Sequence, residues 1–299
     1  MLLLTAFILL SAFSCGTNNN KTNSVQEPEK NITVKAPQFD ADSAYKYIQA
    51  QVDFGPRNPN SKGHAACGEY LATKLAEHGA KVTNQNVELP AYDGTLLKAR
   101  NIIGSFKPES KKRIALFAHW DTRPWADNDP NEKNHHTPIL GANDGASGVG
   151  VLLEIARLIN QQQPELGIDI IFLDAEDYGA PQFYKGEHLE EQWCLGAQYW
   201  ARNPHVEGYN ARFGILLDMV GGKDATFFKE VYSEKFARGI NKKVWKKAPD
   251  TDVTLLTKQV GRSLTTICLS IGWPVSRLST SFRMTKIVNC PVSDRLGIP

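Results

Sequence analysis

Three features are scarce in this sequence. None of its five cysteines forms a Cys-x-x-Cys pair, which argues against a metal site built from thiolates. No internal repeat of the kind that builds solenoids is present. The net charge is only +2, which gives no sign of a nucleic-acid partner. With 299 residues, 41% hydrophobic and 22% charged, the chain has the composition of a globular protein and room for one large α/β domain.

The first segment predicts export. Residues 1–13 are apolar but too few to cross a bilayer, and the usual basic residues are missing from their start. Small residues leading to the lone Cys15 resemble a bacterial lipoprotein signal, in which this cysteine carries lipid; a plain signal peptide is the alternative. In both cases we expect an exported protein, either periplasmic or a membrane-anchored lipoprotein. Residues 16–38 are polar and typical of a flexible tether.

Short apolar runs alternate with helical patterns between residues 39 and 248, the predicted catalytic domain. This alternation favours an α/β fold with a mostly parallel sheet and helices on both faces. The predicted helices cover residues 40–53, 61–77, 148–159, 189–201 and 236–246, and the predicted strands cover residues 81–89, 101–106, 113–118, 168–173 and 213–217.

Acidic residues and a histidine stand where the predicted strands stop. In open α/β sheets, ligands bind beyond the carboxyl ends of the strands. Clustered carboxylates resist burial unless a cation compensates them, and carboxylate and imidazole ligands suit zinc. The pattern therefore favours a metal site, with a structural ion-pair network as the alternative. The groups concerned are His119 and Asp121; Asp174, Glu176 and Asp177; Asp218; and Asp144, which lies among glycines before a helix.

Four motifs resemble one family. AHWDTRP (residues 118–124), GANDGASG (141–148), FLDAEDYG (172–179) and LLDMVG (216–221) are similar to bacterial glutaminyl-peptide cyclotransferases. That family belongs to the zinc aminopeptidase-like superfamily, and the resemblance runs from about residue 41 to 248. It implies a three-layer αβα sandwich with a mixed, mostly parallel central sheet.

The resemblance also implies roles for residues. Asp144 and Asp177 would bind zinc, Glu176 would be the general base and acid, and Asp218 would support the transition state. In aminopeptidase relatives, the residue at His119 binds a second zinc; in cyclases, which use one zinc, it is a retained neighbour. The expected reaction converts the N-terminal glutamine of peptides or proteins to pyroglutamate with release of ammonia. The alternatives are a two-zinc aminopeptidase and a vestigial, lipid-anchored peptide-binding protein.

Two further groups have open interpretations. The tryptophans Trp120, Trp125, Trp193 and Trp200 can line a pocket, but core packing is favoured for each one individually. The polar loop at residues 127–131, near His135 and His136, can bind calcium, but a solvated loop is favoured.

Residues 249–299 break the pattern. They contain no Ala, Glu, His or Tyr, and no helical or strand periodicity persists. All seven histidines lie at or before His205, whereas the resemblance implies a third zinc ligand, a histidine, near the C-terminus. The pattern favours a reading-frame shift near Ala248, since residues 261–268, read one base back, can encode Gly-Ser-Ile-Thr-Asp-Asp-His-Leu. A shift in the protein itself predicts a disrupted C-terminal part and lost activity, whereas a shift that is only a sequencing error implies a normal enzyme. A genuinely divergent tail is the alternative to any shift.

Overall fold

A computed structural model describes residues 36–223, 225, 227–247, 256–261 and 284–289. The predicted lipidation site at Cys15, almost all of the tether and most of residues 249–299 lie outside the described residues. Within the described part, no helix combines the length and the apolar character needed to span a membrane.

The described strands form one mixed sheet, as predicted. They are β1 (Lys81–Pro90), β2 (Leu96–Phe106), β3 (Arg113–His119), β4 (Gly167–Leu173), β5 (Gly214–Asp218), β6 (Phe227–Glu230), β7 (Leu256–Gly261) and β8 (Met284–Asn289). Their order across the sheet is β1-β2-β4-β3-β5-β8-β6-β7. Strands β4, β3, β5 and β8 run parallel to one another, and β6 is parallel to β7. The pairings of β1 with β2, β2 with β4 and β6 with β8 are antiparallel.

Five helices accompany the sheet in the described part of the chain: α1 (Ala41–Asp53), α2 (Lys62–Glu77), α3 (Ala146–Gln162), α4 (Leu195–Arg202) and α5 (Val231–Lys247). The first two begin where the sequence predicts, because the side chains of Asp40 and Ser61 accept hydrogen bonds from the backbone N–H groups of Ser43 and His64. Helix α5 begins before its predicted start, since the Glu230 carboxylate accepts from the first amides of the helix.

Alternating side chains of the central strands face two separate cores. From β3, Leu116 and Ala118 pack with α2 and α3, whereas Ala115 and Phe117 pack with α4. Strand β4 alternates in the same way, and all seven of its residues are buried. Helices therefore cover both faces of the sheet, and the three-layer αβα arrangement is confirmed.

The structure differs from the expectation at the start of α4 and in the strands that follow β5. The helix predicted at residues 189–201 begins only at Leu195, because Cys194 has a left-handed backbone with φ of 55°, which no right-handed helix contains. Residues 190–192 form a short 3-10 turn instead. Residues 249–299, where no strand was expected, contribute β7 and β8. The proposed reading-frame shift stays a prediction.

Gly148 allows α3 to approach the end of β5, and this contact predicts a stability difference. An added Cβ would lie 2.5 Å from the Leu217 carbonyl oxygen, so we expect Gly148→Ala to lower the free energy of unfolding by about 1–3 kcal/mol. Gly239→Ala in α5 is the control, since its Cβ would meet nothing within 4 Å and alanine favours a helix. Urea unfolding of both variants measures the difference, and equal effects would contradict the close approach.

Candidate metal centre

The carboxyl ends of three neighbouring parallel strands bring the predicted site residues together. His119 is the last residue of β3, and it pairs in register with Leu173, the last residue of β4. The Trp120 amide continues this pairing by donating to the Leu173 carbonyl at 3.1 Å. Asp218 is the last residue of β5, on the other side of β3. The acids that follow β4 and the acid that ends β5 therefore flank the histidine that ends β3.

His119 lies at the centre of the cluster. Its Nε2 atom is 2.9 Å from Asp144 Oδ1 and 3.4 Å from Asp218 Oδ1. The side chain is almost fully buried, at 1% exposure. Two sets of three residues have ligand atoms within 4.8 Å of one another, namely His119 with Glu176 and Asp177, and His119 with Asp144 and Asp218. Asp144 and Asp177, the zinc ligands that the resemblance implies, thus belong to different sets that share His119.

Asp121 joins the histidine to the turn that carries Glu176 and Asp177. Its two carboxylate oxygens accept hydrogen bonds from the backbone N–H groups of Glu176 and Asp177, each at 3.0 Å. Its Oδ1 atom also lies 3.5 Å from Nδ1 of His119. Because Asp121 is fully buried, these contacts are shielded from water. One carboxylate therefore orients three of the groups predicted to carry the chemistry.

The same turn is bound from its other side by the start of α4. Ala175 has a left-handed backbone with φ of 50°, which turns the chain sharply after β4. The amides of Cys194, Leu195 and Gly196 donate to the carbonyl oxygens of Glu176, Ala175 and Asp174 at 2.9–3.0 Å. The first amides of a helix have no partner inside the helix, so the turn satisfies them and is held by them.

Asp174, the first acid of the turn, belongs to neither metal-ligand set. Its carboxylate accepts from the amides of Arg100 and Ala175 and lies 2.8 Å from Nε2 of His64. The His64 ring stacks on Trp120 with 4.4 Å between ring centroids. Asp174 is therefore a support of the turn. His64 was missed by sequence reasoning, and no local pattern marks it.

The loop that carries Asp144 is fixed to the loop after Asp218. The Asn143 side-chain oxygen accepts from the Gly221 amide at 2.8 Å, and the Ser147 hydroxyl accepts from the Val220 amide at 3.0 Å. Gly145 has φ of 104°, and its Cβ would lie 2.5 Å from the Asp121 carbonyl oxygen, so only glycine fits here. These contacts hold Asp144 and Asp218 at a constant separation.

Arg57 holds the start of this loop and was also missed by sequence reasoning. Its guanidinium donates to the carbonyl oxygens of Leu140 and Gly141, each at 2.8 Å. The residue is fully buried, and its backbone N–H donates to the Thr122 hydroxyl. The Arg57 side chain thus joins the segment before α2 to the loop that carries Asp144, and the Arg57 backbone joins that segment to the chain after β3.

The polar loop at residues 127–131 is not uniformly solvated. Asp127 is buried and forms a two-point ion pair with Arg123, which also donates to the carbonyl oxygens of Asp177 and Gly179. The expectation of a solvated loop was wrong for Asp127, because its partner Arg123, four residues earlier in the chain, is also buried. Asn128 is exposed, as expected, and Asp129 is half-buried.

The four tryptophans divide into two pairs. Trp120 and Trp200 are fully buried in the core, as the packing interpretation predicts. Trp125 and Trp193 are half-buried, and their rings lie 5.6 Å and 4.7 Å from Cζ of Arg123. Since Arg123 donates to the Asp177 carbonyl, these two rings lie near the turn that carries Glu176 and Asp177.

Burial sets the protonation of the cluster. It raises the pKa of Glu176 and that of Asp177, and the carboxylates of Asp144 and Glu176 raise the Asp177 pKa further. Burial by itself would lower the pKa of His119, but the carboxylates of Asp121, Asp144 and Asp218 outweigh it and raise the pKa well above its ordinary value. The cluster is therefore electrostatically unsatisfied without added positive charge.

The donor set fits a bound cation such as zinc. In the described part of the chain, the two ring nitrogens of His119 have no partner with hydrogen-bond geometry. The same holds for the buried Oδ2 atom of Asp177. Short distances without hydrogen-bond direction are what lone pairs show when they converge on a common point. Imidazole nitrogen and carboxylate oxygens are ligands of catalytic zinc.

The chain's histidines limit the ligand set. All seven lie within residues 36–223, which the structure describes, and His119 alone joins the two metal-ligand sets. A C-terminal histidine ligand, as the resemblance implies, does not exist in this sequence. The other six histidines have contacts outside these sets: His64 with Asp174, His78 with Tyr47, His135 with the Asp129 carbonyl, His136 with Phe183, His188 with the Tyr184 carbonyl and His205 with Trp200.

Comparison with known proteins identifies close relatives. Residues 101–266 match the model of peptidase family M28. A glutaminyl cyclase of Bacteroides thetaiotaomicron, solved with N-acetylhistamine, is 68% identical, with a TM-score of 0.82 and coverage of 89% of each chain. A protein from Bacteroides thetaiotaomicron VPI-5482 named a leucine aminopeptidase precursor is 70% identical, with a TM-score of 0.82, covering 86% of this chain and 87% of that one.

A curated relative, the glutaminyl-peptide cyclotransferase of Drosophila melanogaster, is 24% identical over 185 residues. That alignment covers 58% of this chain and 47% of the relative. The chain spans a third to a half of the length of the first curated relatives that it matches.

The position of Asp121 predicts an effect on metal affinity. Asparagine offers only one oxygen acceptor, and its NH2 group would face a backbone N–H donor. We expect Asp121→Asn to weaken zinc binding by roughly 10–100-fold, as is typical when a group that orients metal ligands is changed. Competition with a chelating dye measures the dissociation constant. Asp129→Asn, on the polar loop and outside both metal-ligand sets, is the control, and equal affinities for both variants would contradict the role of Asp121.

The raised pKa values predict that zinc binding releases protons. A carboxyl or imidazole whose pKa is raised still holds its proton at a pH where an ordinary group has lost it, and zinc must displace that proton. Zinc affinity should therefore rise with pH and fall as the pH is lowered towards the ordinary carboxyl range. Calorimetric titration in buffers of different ionisation enthalpy counts the protons released. His188→Gln, on the surface, should leave the count unchanged; a buffer-independent enthalpy would contradict the prediction.

Proposed function

We propose that this chain, which belongs to peptidase family M28, is a zinc-dependent glutaminyl-peptide cyclotransferase that converts N-terminal glutamine of peptides to pyroglutamate and releases ammonia. One observation carries the proposal. A buried glutamate, Glu176, stands directly beside the candidate ligand Asp177 and across from His119, Asp144 and Asp218, in a chain 68% identical to a glutaminyl cyclase.

The proposed ligands of the zinc are Asp144 and Asp177, with His119 either at a second-metal position or as a neighbour without a metal. When bound, zinc supplies a Lewis acid that polarises the γ-amide carbonyl of the substrate glutamine. The rigid links from Asp121 to the Glu176–Asp177 backbone and from Asn143 to Gly221 keep these ligands in place before substrate arrives.

Glu176 moves the protons in the proposed reaction. The α-amine nitrogen of the substrate bonds to its own γ-amide carbon, and the bond from that carbon to the amide nitrogen breaks. Glu176 takes a proton from the attacking amine and delivers it to the departing ammonia. Burial raises the pKa of Glu176, which brings it closer to neutrality and suits a group that must both accept and donate a proton.

Asp218 holds the reacting nitrogen in this proposal. It lies at the end of β5 and reaches the cluster beside His119, so its carboxylate can accept a hydrogen bond from an N–H group of the folded-back glutamine. Because both reacting groups belong to one residue, the site has mainly to hold that side chain in a ring-like conformation.

A two-zinc aminopeptidase is the second candidate, and two observations favour it. The cluster contains two ligand sets that share His119, which resembles two adjacent metal positions. One solved relative at 70% identity carries the name of a leucine aminopeptidase precursor. Glu176 would then take a proton from the attacking water molecule, and the metal ions, when bound, would supply the Lewis acid. Metal content and product separate the two candidates, since an aminopeptidase releases a free amino acid.

We also propose export, with a lipid anchor at Cys15, on the sequence pattern of residues 1–15. A peptide-processing enzyme with this signal would meet its substrates outside the cytoplasm. Contact with the membrane would then run only through the lipid and the tether.

The proposal predicts the product and the residue that makes it. Incubation of the zinc-loaded protein with glutamine-initiated peptides should release one ammonia per pyroglutamyl peptide. Glu176→Gln should lower kcat by about 10²–10⁴-fold with zinc content unchanged, because the amide cannot take up a proton. Coupled ammonia detection and mass spectrometry measure both.

Glu187→Gln, on the exposed loop, is the matched control and should keep full activity. The chain with its reading frame restored after Ala248 should be assayed beside the written chain, so that a loss due to residues 249–299 is recognised. Release of free amino acids without ammonia would favour the aminopeptidase. No turnover by either chain would sink the proposed function.

A further inference from the structure

We propose that Cys194 is a positioning residue for Glu176, whose carboxyl it orients by donating a hydrogen bond from its thiol. The inference rests on the proposed function, in which Glu176 is the group that carries the proton. Cys194 is a member of neither metal-ligand set, and neither its sequence context nor the motifs mark it as part of the site.

The contact is direct. Sγ of Cys194 lies 3.3 Å from Oε1 of Glu176, a distance suited to a sulfur donor, and the cysteine is fully buried. An ionised carboxylate can only accept hydrogen bonds, so the thiol must be the donor. A donor on Oε1 fixes the rotation of the carboxyl group about its last bond, which is otherwise broad and shallow.

The backbone delivers this thiol to the same place. The Cys194 amide donates to the Glu176 carbonyl at 3.0 Å, so the two residues are joined through both their backbones and their side chains. The two neighbouring amides, of Leu195 and Gly196, bind the preceding carbonyl oxygens of the same turn. Any movement of Glu176 relative to α4 would break several hydrogen bonds together.

The conformation of Cys194 indicates that its side chain matters. Its φ of 55° belongs to the left-handed region, where glycine is free of strain and asparagine is common. A turn that only had to start α4 would be served better by glycine. Cysteine costs conformational energy there, and what it adds over glycine is the group that reaches Glu176.

The first experiment compares kinetics of three variants of the full, zinc-loaded chain. Cys194→Ala removes the donor and should lower kcat by roughly three- to tenfold, the effect of one weak hydrogen bond to a charged group, with KM and zinc content unchanged. Cys194→Ser keeps a donor and should recover most of kcat. Cys67→Ala is the matched control, because Cys67 is equally buried but packs in the core between α2 and the sheet.

The kinetic outcomes are decisive in both directions. A loss of kcat in Cys194→Ala that Cys194→Ser restores and Cys67→Ala does not share supports the proposal. An unchanged kcat in Cys194→Ala overturns it. Equal losses in Cys194→Ala and Cys194→Ser, with equal falls in melting temperature, also overturn it, since a donor-independent effect is one of packing.

A second measurement needs no activity and separates this inference from the proposed function. The infrared S–H stretching band of Cys194, isolated by difference against Cys194→Ser, should lie at lower frequency than that of Cys67, and should shift upward in Glu176→Ala. A band at the Cys67 frequency that ignores Glu176 overturns the proposal. If the wild type releases no ammonia but the band shifts as expected, the proposed function fails while the contact stands.

Discussion

The Asp121 carboxylate is the contact on which the rest of the site depends. It accepts from two successive amides of the turn after β4 and lies beside the ring of His119, so it holds three chemical groups with two oxygen atoms. A carboxylate that accepts two backbone N–H bonds in a buried place has little freedom to move. The end of β3 and the end of β4 are thereby held to each other beyond the last pair of their ladder.

The remaining contacts extend this arrangement outward. Helix α4 binds the turn through its first amides, Arg57 binds the Asp144 loop, and Asn143 joins that loop to the chain after β5. Each contact pairs a backbone group: an amide at the start of a helix, a loop carbonyl or a loop amide. These contacts offset part of the cost of burying the carboxylates of Asp121, Glu176, Asp177 and Asp218, and a cation at the centre would reduce the remaining repulsion.

The sequence predicts the chemistry-bearing residues better than the residues that hold them. Strands β3, β4 and β5 are buried apolar runs that stop abruptly at charge, so their ends and the acids there can be read directly. Arg57 and His64 cannot be read in this way, because their partners lie 84 and 110 residues further along the chain. The late start of the helix predicted at residues 189–201 has the same cause. Cys194 has a left-handed backbone and contacts Glu176, which is distant in sequence, so helix propensity alone does not predict this start.

The order of the chain has a consequence for its synthesis. Every described residue that builds or orients the cluster, from Arg57 to Gly221, is translated before Ala248. A ribosome that slipped at that point would already have delivered the four acids, His119, Asp121 and Cys194. Errors downstream would therefore spare these residues and act through folding and through the C-terminal histidine ligand that the resemblance implies, so that a gene could lose its enzyme while the codons for all of these residues stayed intact.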